Sequence, residues 1–119
     1  MMLRNPSVKR GDVILVTFPN SDLISAKLRP ALVVQADGLG TGLSQVIVAM
    51  ISSQTFRAGH PSRVRILLST PEGTQSGLLM DSVLLTDNLA TVTFGAISRV
   101  IGSLSMPPAD DALRHTLSL

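Results

Sequence analysis

Cysteine is absent from this chain. Neither a disulfide nor a thiolate metal site can form without it, and a chain of this kind suits a reducing compartment, so the expected location is the cytoplasm. Tryptophan and tyrosine are absent too, and phenylalanine occurs three times, at positions 18, 56 and 94. Platforms that stack single-stranded RNA on aromatic rings use several rings, so any nucleic-acid recognition here has to rest on arginines, backbone groups and pocket shape. The two histidines, His60 and His115, lie far apart in sequence and give a zinc site little to work with, so neither a metal nor another cofactor is expected. No apolar run approaches the roughly 18 residues needed to span a bilayer, and the N-terminus lacks a signal-peptide core. Charge is scarce as well: 15% of residues are charged, against about 25% in an ordinary domain.

What is present is apolar. Hydrophobic residues make up 45% of the 119 positions, and mean hydropathy is +0.38. A chain of this length fits one domain, 1–119, and buries roughly two-thirds of its unfolded surface, enough for a core without staples. A small domain so poor in charge is expected to cover apolar surface with a partner, most simply a second copy of itself. Formal net charge is +2. That is far from the excess of a duplex-coating protein, yet it permits a local basic patch, in agreement with a pI of about 9.9. The first residues, 1–8, are expected to fray.

The pattern along the chain is that of short strands. Val- and Ile-rich Gly11 to Phe18 reads as a strand. Asp22 to Leu28 reads as a loop of mixed polarity, and Pro30 to Ala36 as a strand buried on both faces. The glycine-rich stretch Asp37 to Gly42 lacks the Gly-Lys-Ser/Thr of a phosphate loop and reads as a connector. Gln45 to Ile51 is a further strand, ending in polar Ser52-Ser53-Gln54-Thr55. Arg63 to Leu68 alternates at first, with Arg63 and Arg65 on one face. Thr70 to Gly77 reads as a turn region. Leu78 to Leu85 resembles a strand interrupted by Asp81 and Ser82. Thr91 to Phe94 and Arg99 to Leu104 are extended, around one tight turn at Gly95 to Ser98. Pro107-Pro108-Ala109-Asp110-Asp111 opens a helix, with prolines tolerated in its first turn and carboxylates at the positive end of its dipole. Leu113 and Leu117 continue it at helical spacing. Six or seven short strands and one C-terminal helix predict a mainly β (α+β) domain: a small, mostly antiparallel barrel or a strongly bent sheet.

The segment Lys27-Leu28-Arg29-Pro30-Ala31-Leu32-Val33-Val34-Gln35 carries the most chemistry. The ring of Pro30 forces Arg29 towards extended backbone, and proline suits the first position of a strand. Arg29 then sits on a rigid lip, where its guanidinium either pairs with a neighbouring carboxylate or presents a planar fork to a phosphate. Arg57, Arg63 and Arg65 with His60 form the densest basic cluster, either a solvated strand face or a path for a nucleic-acid backbone.

Arg10-Gly11-Asp12-Val13, Leu28-Arg29-Pro30-Ala31-Leu32-Val33-Val34-Gln35, Ala49-Met50-Ile51-Ser52-Ser53-Gln54 and Asp81-Ser82-Val83-Leu84-Leu85 occur in this order and at these distances. The chain thereby resembles the MazF/PemK family of toxin–antitoxin ribonucleases, over about residues 9 to 118. The resemblance implies an SH3-like barrel that dimerises and cuts single-stranded RNA, messenger RNA included, without a metal. The arginine of its Arg-Pro motif falls on Arg29. The hydroxyl of its Ile-Ser/Thr motif falls on Ser52, a serine in place of the more frequent threonine. Ser53, His60 and Asp87 are candidate accessory residues, and Lys27, Arg57, Arg63 and Arg65 candidate RNA contacts. Some relatives carry a histidine in the first loop, where this chain has none. Some carry arginines where it has Leu85 and Ala90. Asp12 reads as structural, a carboxylate near the barrel mouth and within reach of Arg29. Asp81 reads as the tie of a turn or a dimer contact.

The chemistry follows from these residue types. A ribose 2′-hydroxyl attacks its own adjacent phosphate once its proton is removed, charge on the phosphorane oxygens is held and the leaving 5′-oxygen is stabilised. A fixed guanidinium at Arg29 supplies the second of these, and Ser52 either donates to a phosphate oxygen or merely closes its strand. The resemblance further implies an antitoxin whose disordered acidic tail covers the basic groove, with operator DNA bound only through that antitoxin. The competing readings are a non-catalytic toxin of the same fold that poisons DNA gyrase, and a degenerate relative that binds antitoxin or DNA without cutting.

Overall fold

The computed structural model of the protein describes residues 8–19, 22 and 24–119. The expected fraying at 1–8 thus falls, Val8 apart, outside the described residues. The elements are β1 (Asp12–Pro19), β2 (Ala26–Val33), β3 (Gln45–Ser52), β4 (Arg63–Ile66), α1 (Pro71–Gln75), β5 (Ser82–Thr93), β6 (Ile97–Ser103) and α2 (Met106–Leu117). Single 3-10 turns at Thr55–Arg57 and Phe94–Ala96 join β3 to β4 and β5 to β6. The six strands form one antiparallel sheet in the order β4-β5-β3-β2-β1-β6. It is bent strongly but not closed, as the composition of short strands predicts.

The continuous apolar runs are explained by burial on both faces. Neighbouring strand residues point to opposite sides. Val13, Leu32, Ala49, Ile51 and Leu84 therefore form one core, with Ala109 of α2 packed into it. Ile14, Val16, Ala31, Val33 and Val48 form a second. Each such side chain is worth roughly 1.5–3 kcal/mol when fully buried. The face α2 turns inward carries Ala109 and Ala112, whereas Leu117 is 50% exposed. A hydroxyl pair fixes this helix to the sheet. Thr86 Oγ1 donates to the Ser62 carbonyl at 2.6 Å and so accepts from Thr116 Oγ1 at 2.7 Å.

Several local expectations need correction. The stretch read as a turn region holds α1, which starts as sequence rules allow: Pro71 lies in its first turn and the Thr70 side chain accepts from the Gly73 N–H at 3.1 Å. The two extended pieces around position 85 are one strand, β5, beginning at Ser82. β2 begins inside the expected loop, so Pro30 is its fifth residue rather than its first. It is tolerated there because the β2–β3 ladder begins only at Ala31, opposite Met50. At Pro30 the strand is a local edge, and the missing N–H interrupts no β3 pairing.

Two glycines set the position of the segment after α1. Gly77 has φ +73°, and a Cβ there would run into the Ile101 carbonyl. Gly102 on β6 faces the backbone of Gln75 and Ser76 just as closely. Backbone lies directly on backbone here, which side chains would forbid. The following residues, Leu78, Leu79 and Met80, are thereby held against one end of the sheet.

Candidate functional site

That end of the sheet is a hollow of about 770 Å³, open to solvent. Strand register explains which residues meet there. β2 and β3 pair from Val33 opposite Val48 to Ala31 opposite Met50, then part. Arg29 and Ser52 lie just past that point on these neighbouring strands. Both line the hollow. On the other side of β2, Leu15 of β1 lies between Pro30 and Arg99 of β6, and all three line it as well. The side walls are Leu28, Leu79 and Met80, exposed by 47%, 92% and 57%.

The hollow is cationic. Lys27, Arg29, Arg57 and Arg99 line it, and no aspartate or glutamate does. Four of the ten lysines and arginines of the chain therefore face one cavity, enough to focus a positive field despite the small net charge. Among the described residues the guanidinium groups of Arg29 and Arg99 have no hydrogen-bond or ion-pair partner, and both residues are exposed. Asp12, within reach of Arg29 on the sequence reading, is turned elsewhere: it is 4% exposed, accepts from the Lys9 N–H at 2.9 Å and lies 3.7 Å from the Lys9 ammonium.

Ser52 combines its two readings. Its Oγ accepts from the Gln54 N–H at 3.1 Å, which closes the strand end. That bond uses a lone pair, so the hydroxyl proton remains free to donate into the hollow. Ser53, the next residue, is exposed and also lines the hollow.

Other candidates lie elsewhere. Arg63 donates to Asp87 from Nε and Nη2, at 3.3 and 2.8 Å, and from Nη1 to the Arg57 carbonyl at 3.0 Å. The guanidinium holds the Asp87 carboxyl below its ordinary pKa, and Asp87 raises that of Arg63. Neither residue lines the hollow, and nor does Arg65. His60 is likewise turned away. Its Nδ1 accepts from the Ser62 N–H at 3.0 Å, and its ring meets that of His115 edge-on at 5.9 Å. Asp81 accepts from the Leu68 N–H at 2.8 Å, the turn tie expected of it. Among the described residues, no group of three or more His, Cys, Asp and Glu is placed to hold a metal ion.

Two residues that line the hollow, Arg99 and Asn88, are not among the candidates the sequence singles out. Arg99 reaches the hollow only because β6 pairs with β1, a contact between the two ends of the domain. Asn88 reaches it through an irregularity in the pairing of β5 with β3.

A family model for the PemK-like, MazF-like toxin of type II toxin-antitoxin systems matches residues 9–115. The chain belongs to this family. MazF-like toxins are endoribonucleases as a class, and the solved structures that resemble the chain include such proteins. One is an endoribonuclease from a mycobacterial species in complex with its cognate antitoxin, at TM-score 0.72 and 18% identity, covering 95% of this chain and 97% of that one. Another is the Mycobacterium tuberculosis toxin MazF-mt6, at TM-score 0.70 and 23% identity, covering 91% and 97%. A third is a MazE–MazF structure from Deinococcus radiodurans, at TM-score 0.70 and 15% identity, covering 94% and 97%. At these identities the likeness establishes the MazF fold, bent sheet and C-terminal helix included. No curated protein sequence matches the chain. No helix among the described residues is long and apolar enough to cross a membrane.

Proposed function

We propose that this MazF-like chain is a metal-independent endoribonuclease that cleaves single-stranded RNA by attack of a 2′-hydroxyl on the adjacent phosphate. The observation that supports it is that Arg29 and Ser52 both line one cationic, carboxylate-free hollow. The guanidinium of Arg29, unspent on any carboxylate, binds the scissile phosphate and stabilises charge growing on its non-bridging oxygens. The Ser52 hydroxyl donates to the same phosphate or orients the attacking 2′-oxygen. The new bond joins 2′-oxygen to phosphorus, and the bond to the 5′-oxygen breaks. The products end in a 2′,3′-cyclic phosphate and a 5′-hydroxyl. No imidazole or carboxylate lines the hollow among the described residues, so solvent water carries the two protons. Lys27, Arg57 and Arg99 bind neighbouring phosphates.

The chain acts as the toxin of its pair, as a cytoplasmic homodimer. Its antitoxin presents an acidic, disordered tail that neutralises the same cations and packs on Leu28, Leu79 and Met80, and operator DNA is bound only through it.

Purified protein is expected to cut mixed-sequence single-stranded RNA in the presence of EDTA, leaving cyclic phosphate ends. Intact RNA after long incubation with folded protein sinks the reading. Trapped gyrase–DNA cleavage complexes without RNA scission would replace it with the non-catalytic alternative.

A further inference from the structure

β5 carries three residues too many for its partner. Ala49 of β3 faces Leu89 and the next residue, Met50, faces Leu85. Thr86, Asp87 and Asn88 therefore bulge out with nothing opposite on β3. Bulges of this kind re-aim side chains and often sit beside functional sites.

Each of the three has a different destination. Thr86 points inward, fully buried, and is bonded to the Ser62 carbonyl and to Thr116. Asp87 points outward and is gripped by Arg63 through two bonds. Asn88 lines the hollow, exposed, and among the described residues its amide has no partner. The first two residues anchor the bulge, so the third projects from a fixed backbone with its bonding capacity unspent.

Apart from Gln54, the other amide on its lining, the hollow is built to hold an RNA rather than to read it. Its arginines and lysine bind phosphates, which position an RNA without reading it. Its apolar wall of Leu28, Leu79 and Met80 packs against the face of any base. A short amide is different, because it offers one acceptor and two donors side by side. That pattern matches the adjacent donor and acceptor on the edge of an unstacked base.

We propose that Asn88 is a specificity-determining residue, which reads the edge of a single base beside the scissile phosphate. This rests on the ribonuclease reading and goes beyond it by naming what sets the cleavage sequence.

The test is cleavage of a random-sequence single-stranded RNA, with the new ends sequenced, for the wild type, Asn88→Ala and Asn88→Asp. The side chain is exposed and unbonded, so both variants are expected to keep the wild-type Tm. In Asn88→Ala, discrimination at one position of the cleavage sequence should fall by about tenfold to a hundredfold, while preferences elsewhere persist. Asn88→Asp, an acceptor only, should shift that position towards bases with an exocyclic amino group. Unchanged relative rates at every position in both variants overturn the proposal. A wild-type protein that cuts nothing overturns the ribonuclease reading itself, and this inference with it.

Discussion

Arg29 and Arg63 are both strand arginines on this small sheet, yet they have opposite circumstances. Arg63 stands opposite Leu85 on a complete ladder, next to the bulge that brings Asp87 within reach. Its donors go to that carboxylate and to the Arg57 carbonyl, so it braces the turn that carries Arg57. Arg29 stands where the β2–β3 ladder has just ended, beside a cavity lined by no carboxylate. One guanidinium is a structural clamp and the other an open fork. What separates them is not residue type but whether the sheet supplies an acidic neighbour.

Removing the open fork should have the largest effect. Arg29→Ala is expected to lower kcat by about 10²–10³-fold, the usual cost of losing one preorganised group at a developing anion, with the circular dichroism spectrum and Tm retained. Normal cutting by that variant would place the site elsewhere. Ser52→Ala removes one donor to a charged oxygen and should cost about tenfold to a hundredfold. Ser52→Thr should restore most of it, and equal rates for all three would leave the serine a strand cap only.

Arg99→Ala should act on binding rather than chemistry. KM is expected to rise with kcat little changed, and the slope of log affinity against log salt should fall by about 0.7. A fall in kcat alone would move Arg99 into the chemical step.

The clamp should show the smallest effect, and in stability rather than catalysis. The Asp87 carboxyl titrates lower in the folded chain than its ordinary value of about 3.9 in the unfolded one. The folded state thus binds fewer protons, so the contribution is complete above that value and fades as pH drops through the folded pKa. Asp87→Asn should lower Tm slightly near neutral pH, since the pair is partly exposed and screened, and the difference should shrink as pH falls through the folded carboxyl's pKa. A Tm difference that persists in acid would show that the side chain stabilises by something other than its charge.

The strands and the terminal helix were legible because apolar runs and the Pro-Pro-x-Asp-Asp start are local signals. Arg29 and Ser52 were legible through motif order. The rest depends on pairings between distant residues. The hydrophobic pattern of β5 breaks at Asp87 and Asn88 and so reads as two strands, whereas tertiary anchoring of Thr86 keeps it one. Arg63, Arg65, Arg57 and Lys27 look equivalent as letters, but the fold gives Asp87 to the first and sends only the last two to the hollow. Helical spacing of Leu113 and Leu117 marked the helix but not its buried face, which carries Ala109 and Ala112.

One last consequence follows from where β1 lies, between β2 and β6. Arg10, just before it, clips to the Val34 carbonyl at 2.9 Å and to Asp110 at 2.6 Å. β1 therefore waits for β6, and Arg99 arrives with that strand. Contacts so distant along the chain form late. Until β6 has docked, the polypeptide is without its finished cleft, whatever else has already folded.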